Sequence, residues 1–177
     1  LKPFMLVKLS GHQREKIVET VVSLETKESK PLKELEKGLK KNHTIKEIVN
    51  KGASIEGLPE YRRELGLSKI TPFLESIKFD LELTNEPLII LAWHREVLEV
   101  LFDKLKDHLP ALIYGGMSAK DKTQIEKDFG EGNLRILIAQ ISCMVGTDFS
   151  RANQVHFLEW DWVPKNNRQA MFRAISE

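Results

Sequence analysis

The sequence predicts an α/β protein in which a mainly parallel sheet is flanked by helices and preceded by a mostly helical N-terminal extension. Two observations support this fold class. From residue 85 onward, short apolar runs alternate with amphipathic stretches, which is the pattern of βαβ units. Residues 1–84 are charge-rich instead, and their leucines and isoleucines recur near helical spacing. We therefore divide the chain into a helical extension, 1–84, and an α/β unit, 85–177.

Composition limits the kind of protein without identifying it. The 177 residues are 41% hydrophobic and 30% charged, which is ordinary for a globular domain, and the net charge is +1. Any nucleic-acid surface must therefore be a local patch. The single cysteine, Cys143, excludes a disulfide within this chain and fits an intracellular location. No apolar run approaches the roughly 20 residues of a membrane span, so no membrane partner is expected.

The extension predicts several helices. Residues 16–24 alternate loosely between apolar and polar side chains and could form a strand. Residues 27–51 hold eight lysines and four glutamates around the pattern of one or two amphipathic helices. The lysines could be an electrostatic footprint for DNA, but interleaved glutamates are more typical of a solvated helix face. Residues 59–83 form a further helical pattern, with Pro72 in its first turn or at a kink.

The α/β unit predicts four strands separated by helices. The run from Pro87 to Trp93 is continuously apolar, as expected of a parallel strand buried on both faces. The other strands are predicted at 111–114, 134–139 and 154–159, and the helices at 95–107, 118–129 and from 166 onward. Ligands bind at the carboxyl ends of such strands. The loops of interest therefore begin at Trp93, Gly115, Gln140 and Trp160.

The motifs that would give this chain its own hydrolytic chemistry are missing from the sequence. No phosphate loop of the form G-x-x-x-x-G-K-[ST] occurs, and no strand ends in a paired-acid motif for magnesium. The five histidines lack metal-ligand spacing, so no metal site is expected. Glu159 and Asp161 flank Trp160 and are more simply interpreted as part of a structural loop. The chain alone is therefore not expected to hydrolyse anything.

The loop from 140 to 152 is the most informative segment. Its small and hydroxyl side chains, among them Ser142, Gly146 and Thr147, would let main-chain amides approach a phosphate. Asp148 could accept hydrogen bonds from a ribose. On these residues alone, a strand-to-helix turn with Asp148 as a cap is the favoured interpretation.

Two residue pairs at other strand ends are candidate ligand contacts. Gly115-Gly116 precedes a helix with Ser118 as its predicted N-cap, and main-chain N–H groups there could hold a phosphate. A plain turn explains that pair equally well. Trp93-His94 could stack on a base or a sugar, although an aromatic residue that closes a strand is more often packing.

The last predicted helix carries a third pair, Gln169 and Arg173. These residues lie four positions apart, so their side chains share one helical face. They could present an amide and a guanidinium to a bound polyphosphate. An arginine that is merely exposed on the surface is the default alternative.

Taken together, five blocks resemble the C-terminal lobe of Swi/Snf-type ATPases of helicase superfamily 2 in order and spacing. They span Leu88–Leu105, Tyr114–Phe129, Arg135–Asp148, Val155–Pro164 and Gln169–Arg173. The run 142–148 is similar to helicase motif V, and 162–164 followed by 169–173 is similar to the entry to motif VI. Residues 63–70 are similar to the segment before this lobe in the HARP-like annealing-helicase branch and its bacterial and phage relatives. The resemblance is strong from Pro87 onward and weak in 7–58.

The resemblance implies a RecA-like lobe that works with a second one. In that family two lobes clamp ATP and magnesium between them and move along duplex DNA, and the first lobe supplies the phosphate loop and the magnesium acid. This chain alone would hold no cofactor. The implied partners are double-stranded or branched DNA and an N-terminal RecA-like lobe, with a monomeric chain. The implied location is the nucleus in a eukaryote, or the cytoplasm and nucleoid in a bacterium or phage.

The resemblance also implies roles for individual residues. Asp148 would face the ribose, and Gln169 and Arg173, the candidate catalytic pair, would face the ATP phosphates. Ser142 and Gly146 would contact the DNA backbone, with Gly146 also assigned to the nucleotide site. The remaining candidates for DNA contact are Trp93, His94, Gly115, Gly116 and Thr147.

Three departures from the family pattern keep alternatives open. Cys143-Met144 replaces the usual glycine pair of motif V, and Phe172 stands where an acid is usual. Ser176 occupies the place of a second arginine, the expected finger on the γ-phosphate, and the chain ends at Glu177. Either a boundary cuts motif VI or the lobe has degenerated. A non-catalytic DNA- or protein-binding module is therefore the second hypothesis, and a different α/β nucleotide-binding domain is the third.

Overall fold

A computed structural model describes residues 2–9, 17–26, 29–51 and 54–173, with side chains described from residue 22 onward except for Val49. It contains one six-stranded sheet with the strand order β2-β1-β6-β3-β5-β4. The strands are β1 Lys2–Leu9, β2 Ile17–Leu24, β3 Leu88–Ala92, β4 Ala111–Ile113, β5 Ile136–Gln140 and β6 Gln154–Phe157. The helices are α1 Lys30–Asn42, α2 Ile45–Lys51, α3 Leu58–Leu83, α4 Arg95–Lys104, α5 Ala119–Glu131 and α6 Pro164–Arg173, with short 3₁₀ turns at Lys106–His108 and Ile141–Met144.

Four neighbouring strands, β6, β3, β5 and β4, run parallel, which confirms the predicted fold class. The central strand β3 is buried along its whole length, because helices cover both faces of the sheet. All four strands predicted in 85–177 are present. The pairing of Leu88 with both Ile136 and Gln154 sets the register of the centre.

The alternation of side chains along the strands creates a core on each face of the sheet. On one face, Ile89 and Leu137 pack with Phe129 of α5 and Met171 of α6. On the other face, strand residues such as Ile90 pack with the apolar sides of α3 and α4, which include Phe73, Ile77, Leu98 and Leu101. The sheet is therefore the middle layer of three.

The first two strands differ most from the sequence-based expectation. Residues 17–24 form strand β2, the possibility that the alternating pattern had left open, and Lys2–Leu9 forms strand β1, which the sequence did not predict. β1 pairs antiparallel with β2 and with β6, where Met5 lies opposite Phe157. The division of the chain at residues 84 and 85 stays a prediction, although β1 pairs with β6 in the sheet of the later residues and α3 packs on that sheet.

Helix boundaries agree with the local capping chemistry. Ser118 caps α5 by accepting a hydrogen bond of 3.1 Å from the N–H of Asp121, and Gly132 ends that helix with φ of +85°. Two helices, α1 and α2, occupy the lysine-rich stretch. Pro72 lies inside α3 and not in its first turn. No helix in the described ranges is both long and apolar enough to cross a membrane.

Candidate functional site

The candidate site lies at the edge of the sheet where the four parallel strands end. The loops after β3, β4, β5 and β6 begin at Trp93, Tyr114, Ile141 and Leu158. Parallel strands end at the same edge, so these loops lie side by side. Every predicted site residue except Gln169 and Arg173 is in one of these loops.

Gln140, the last residue of β5, connects two of the loops. Its side-chain oxygen accepts a hydrogen bond of 2.9 Å from the N–H of Gly115, and its side-chain nitrogen donates one of 3.0 Å to the carbonyl oxygen of Trp93. One amide therefore brings together the predicted DNA contacts after β3 and those after β4. Gly116 follows with φ of +92°, a conformation that favours glycine, and both glycines are exposed.

The carboxylate of Glu159 fixes the segment Trp93-His94 through hydrogen bonds. One carboxylate oxygen, Oε2, accepts hydrogen bonds from the main-chain N–H groups of Trp93 and His94, at 3.0 and 2.9 Å. The other oxygen, Oε1, lies 2.6 Å from Nδ1 of His94. Only 5% of Glu159 is exposed, and both of its carboxylate oxygens bond to this segment.

Arg62 of α3 joins the loops after β3 and β6. Its guanidinium lies 4.4 Å from the ring centre of Trp162 and 5.9 Å from that of Trp93, and it donates to the carbonyl oxygen of Trp160. Burial lowers the pKa of Arg62, and the nearby carboxylates of Glu159 and Asp161 oppose that shift. The guanidinium of Arg62 therefore lies over part of the Trp93 ring.

The loop after β5 begins with the 3₁₀ turn Ile141–Met144, where the sequence indicated only a loop. Ser142 and Gly146 are exposed, and Gly146 has φ of +82°. Thr147 is buried, and its hydroxyl donates a hydrogen bond of 2.8 Å to the carbonyl oxygen of Met144. The side chain of Thr147 therefore stabilises the turn, and only its main chain is left for the predicted DNA contact.

Asp148 is exposed and acts within the same loop. Its carboxylate oxygen Oδ1 accepts a hydrogen bond of 2.9 Å from the N–H of Ser150, while its own N–H donates to Glu126 of α5 at 2.7 Å. These bonds form a local turn, and the predicted strand-to-helix turn with Asp148 as a cap is wrong, because the next element is strand β6 and no helix begins after Asp148. The ribose contact implied by the family resemblance stays a prediction.

Helix α6 carries Gln169, half-buried, and Arg173, exposed, one turn apart. Asp161 fixes the start of α6: its carboxylate accepts hydrogen bonds from the N–H of Val163 at 2.9 Å and from the side chain of Asn166 at 2.7 Å. Asp161 is 5% exposed. The acids that flank Trp160 therefore have structural roles, as the sequence indicated.

The loop after β5 and the end of α6 are in direct contact. The N–H of Phe149 donates a hydrogen bond of 2.9 Å to the carbonyl oxygen of Arg173. This bond brings the main chain just after Asp148 to the C-terminal end of α6, the helix that carries Gln169 and Arg173. That Gly146, Asp148, Gln169 and Arg173 form one nucleotide site stays a prediction. Ser176, where the family has its second arginine, lies outside the described residues.

Within the described ranges, no group of three or more histidine, cysteine or carboxylate side chains could hold a metal ion. The positioning residues Arg62, Gln140 and Glu159 were not recognised as site residues from sequence. The only signal for them was that Gln140 and Glu159 stand at strand ends. Arg62 gave none, because it precedes the α/β unit.

Comparisons with known proteins place these features in a family. The helicase conserved C-terminal domain family matches residues 68–176, which is more than half of the chain. No curated protein matches it. The C-terminal part of the Fun30 ATPase domain shares 22% identity at a TM-score of 0.56, covering 80% of this chain and 49% of that one. The Hef helicase domain from Pyrococcus furiosus shares 23% identity at a TM-score of 0.45, covering 80% and 32%. The chain thus spans half or less of these two structures.

Proposed function

This chain belongs to the helicase conserved C-terminal domain family, and from that premise we propose that it is the second motor lobe of an ATP-dependent translocase or helicase stimulated by duplex DNA. In this proposal the lobe works with a first RecA-like lobe that supplies the phosphate loop and magnesium acid. ATP and magnesium bind between the lobes, and this chain alone hydrolyses no ATP. The setting is intracellular, in chromatin remodelling, strand annealing or DNA repair.

The observation that carries the proposal is the contact between Phe149 and Arg173. It holds the loop with Asp148 against the helix with Gln169 and Arg173. In the proposal, the Asp148 carboxylate accepts hydrogen bonds from ribose hydroxyls, and the Gln169 amide and Arg173 guanidinium contact phosphates. These protein groups complement the ribose and phosphates of a nucleotide whose other side is bound by a partner lobe.

DNA contact is supported by the neighbouring loops. Gly115, Gly116 and Ser142 are exposed at the same edge, and small side chains leave main-chain N–H groups accessible to phosphates. Within the Swi/Snf-type proteins, the HARP-like branch is supported by residues 63–70 alone. The Fun30 similarity supports the fold and leaves the branch open.

Binding of fluorescent duplex DNA to the full 177-residue chain tests the DNA half of the proposal. We expect affinity to fall steeply between about 50 and 200 mM salt, because phosphate contacts release counterions. Ser142→Asp should weaken binding at least about fivefold by placing a negative charge against phosphate. Thr123→Asp, on the exposed side of α5, is the matched control. A chain that binds no duplex at low salt would contradict the proposal.

A non-catalytic DNA- or protein-binding module is the second candidate function. Ser176 in place of an arginine and Phe172 in place of an acid favour it. A DNA-binding module would bind duplex in the same assay, so the assay does not separate that form of the second candidate from a motor lobe. Only ATP hydrolysis in the presence of a first lobe separates the two candidates.

A further inference from the structure

Arg62 and Glu159 have no part in the proposed chemistry, yet both contact the segment Trp93-His94. Glu159 is almost completely buried and receives the two main-chain N–H groups of that segment. A buried carboxylate without such partners would be strongly destabilising. Its two carboxylate oxygens bond to the main chain of Trp93 and His94 and to the His94 ring, so Glu159 acts on a DNA ligand through that segment in the inference below.

Arg62 contacts the same segment from α3. Its guanidinium faces the rings of Trp93 and Trp162 and donates to the carbonyl oxygen of Trp160. A planar guanidinium can do all three at once, because it stacks on aromatic faces while it donates at its edge. Arg62 therefore fixes the loop after β3 to the loop after β6.

The loop after β6 leads directly into α6. Two residues beyond Glu159, the carboxylate of Asp161 accepts hydrogen bonds from Val163 and Asn166 and so starts that helix. The amide of Asn167 completes the connection with two bonds to the main chain of Asp161, at 2.8 and 2.9 Å. The segment 159–161 thus contacts the predicted DNA side at one end and the predicted nucleotide helix at the other.

We propose that Arg62 and Glu159 are positioning residues that hold the ring of Trp93 for contact with duplex DNA and tie it to the start of α6. The inference rests on the proposed function, since it requires that Trp93 contacts DNA. It assigns no direct DNA contact to either residue. Both act by orienting the Trp93-His94 segment.

The first test is Arg62→Lys in the full chain, with duplex DNA affinity measured over a salt series. Lysine keeps the charge but loses the planar stack, so affinity should fall about fivefold. The slope of log affinity against log salt should stay unchanged, because no phosphate contact is lost. If Arg62 contacted phosphate directly, Arg62→Ala would reduce that slope by about 0.9, and the inference would fail.

Arg135→Lys is the matched control. Arg135 also donates to main-chain carbonyl oxygens, those of Asp80, Leu81 and Glu86. It directly precedes β5 and therefore lies at the opposite edge of the sheet from the candidate site. Its replacement should lower stability and leave DNA affinity unchanged. Equal losses of affinity for both variants would mean that Arg62 only stabilises the fold.

A double-mutant cycle with Trp93→Ala gives the deciding result. We expect Arg62→Lys and Glu159→Leu to weaken DNA binding in the natural chain but to change it less than about twofold in the Trp93→Ala background. Glu99→Leu, which removes an exposed acid from α4, controls for the lost charge. Additive losses would overturn the inference.

If Glu159→Leu does not fold, the Arg62→Lys cycle decides alone. A natural chain that binds no DNA would overturn the proposed function, whereas normal DNA binding by Arg62→Lys would overturn only this inference.

Discussion

Gly66 in α3 leaves space for the carboxylate of Glu159, because a Cβ atom at position 66 would lie 2.7 Å from Oε1 of Glu159. The same atom would lie 2.9 Å from Cγ2 of Val97, a stiff β-branched side chain. Helix α3 therefore approaches the sheet edge closely at the point where Glu159 holds the loop after β3. Glycine is ordinarily unfavourable inside a helix, but here no larger residue fits between α3 and the sheet edge.

Gly66→Ala should destabilise the chain by about 1–3 kcal/mol, because the new methyl group would displace Val97 or the bonded carboxylate. Urea unfolding measures the loss. The matched control is Gly38→Ala in α1, where an added Cβ meets nothing within 4 Å. That control should gain about 0.5–1 kcal/mol from helix propensity alone. Stabilisation by both variants would contradict the close packing described here.

Gly146→Ala should cost about 1–2 kcal/mol of stability, because φ of +82° is unfavourable for a residue with a side chain. Space is not the cause, since an added Cβ there meets nothing within 4 Å. Gly130→Ala is the control, because Gly130 lies inside α5 with equal space and without positive φ. The two variants should shift the urea midpoint in opposite directions. A neutral Gly146→Ala would show that the loop relaxes.

Gln140→Leu should lower stability by about 0.5–1.5 kcal/mol for each of its two hydrogen bonds. Hydrogen exchange of the Gly115 amide should accelerate as well, because that N–H loses its acceptor. Gln124→Leu removes an exposed amide from α5 that donates to Asp128 in its own helix. It should change stability by less than about 0.5 kcal/mol. Unaltered exchange at Gly115 would contradict the role of Gln140 as a connection between loops.

The pKa of Glu47 should lie below its ordinary value because the N–H of Thr44 donates to its carboxylate at 2.8 Å and the hydroxyl of Thr44 donates at 2.9 Å. Because the pKa of Glu47 is lower in the folded state, its carboxylate stabilises the fold fully at pH above the unfolded-state pKa of 4.5. This stabilisation is lost as the pH falls through the lower pKa of the folded state. Glu47→Gln should therefore remove part of the pH dependence of stability below 4.5. An NMR titration that gives Glu47 an ordinary pKa would contradict these two hydrogen bonds from Thr44.

The sequence predicted the centre of the fold well because buried parallel strands are recognisable as apolar runs. β3 to β6 and the caps of α5 follow from such local patterns. Strand β1 does not, since its place depends on pairing between residues near 5 and 157. No local pattern encodes a contact over that separation.

The candidate site was predictable only in outline. The rule that parallel strands end at one edge indicated which loops would meet. It could not show that Thr147 is buried or that Glu159 serves Trp93 and His94, because hydrogen-bond partners depend on tertiary packing. Arg62 could not be found for the same reason, since its partners come from loops far along the chain.

The most direct test of the central claim is ATP hydrolysis by this chain joined to a first RecA-like lobe that carries a phosphate loop. A second version also carries Ser176→Arg, which completes motif VI. We predict that the completed protein hydrolyses ATP, that duplex DNA increases the rate, and that Arg173→Ala lowers it by about a hundredfold or more. Hydrolysis that is independent of DNA and of Arg173, or no hydrolysis at all in the completed protein, would contradict the assignment of this chain as a motor lobe.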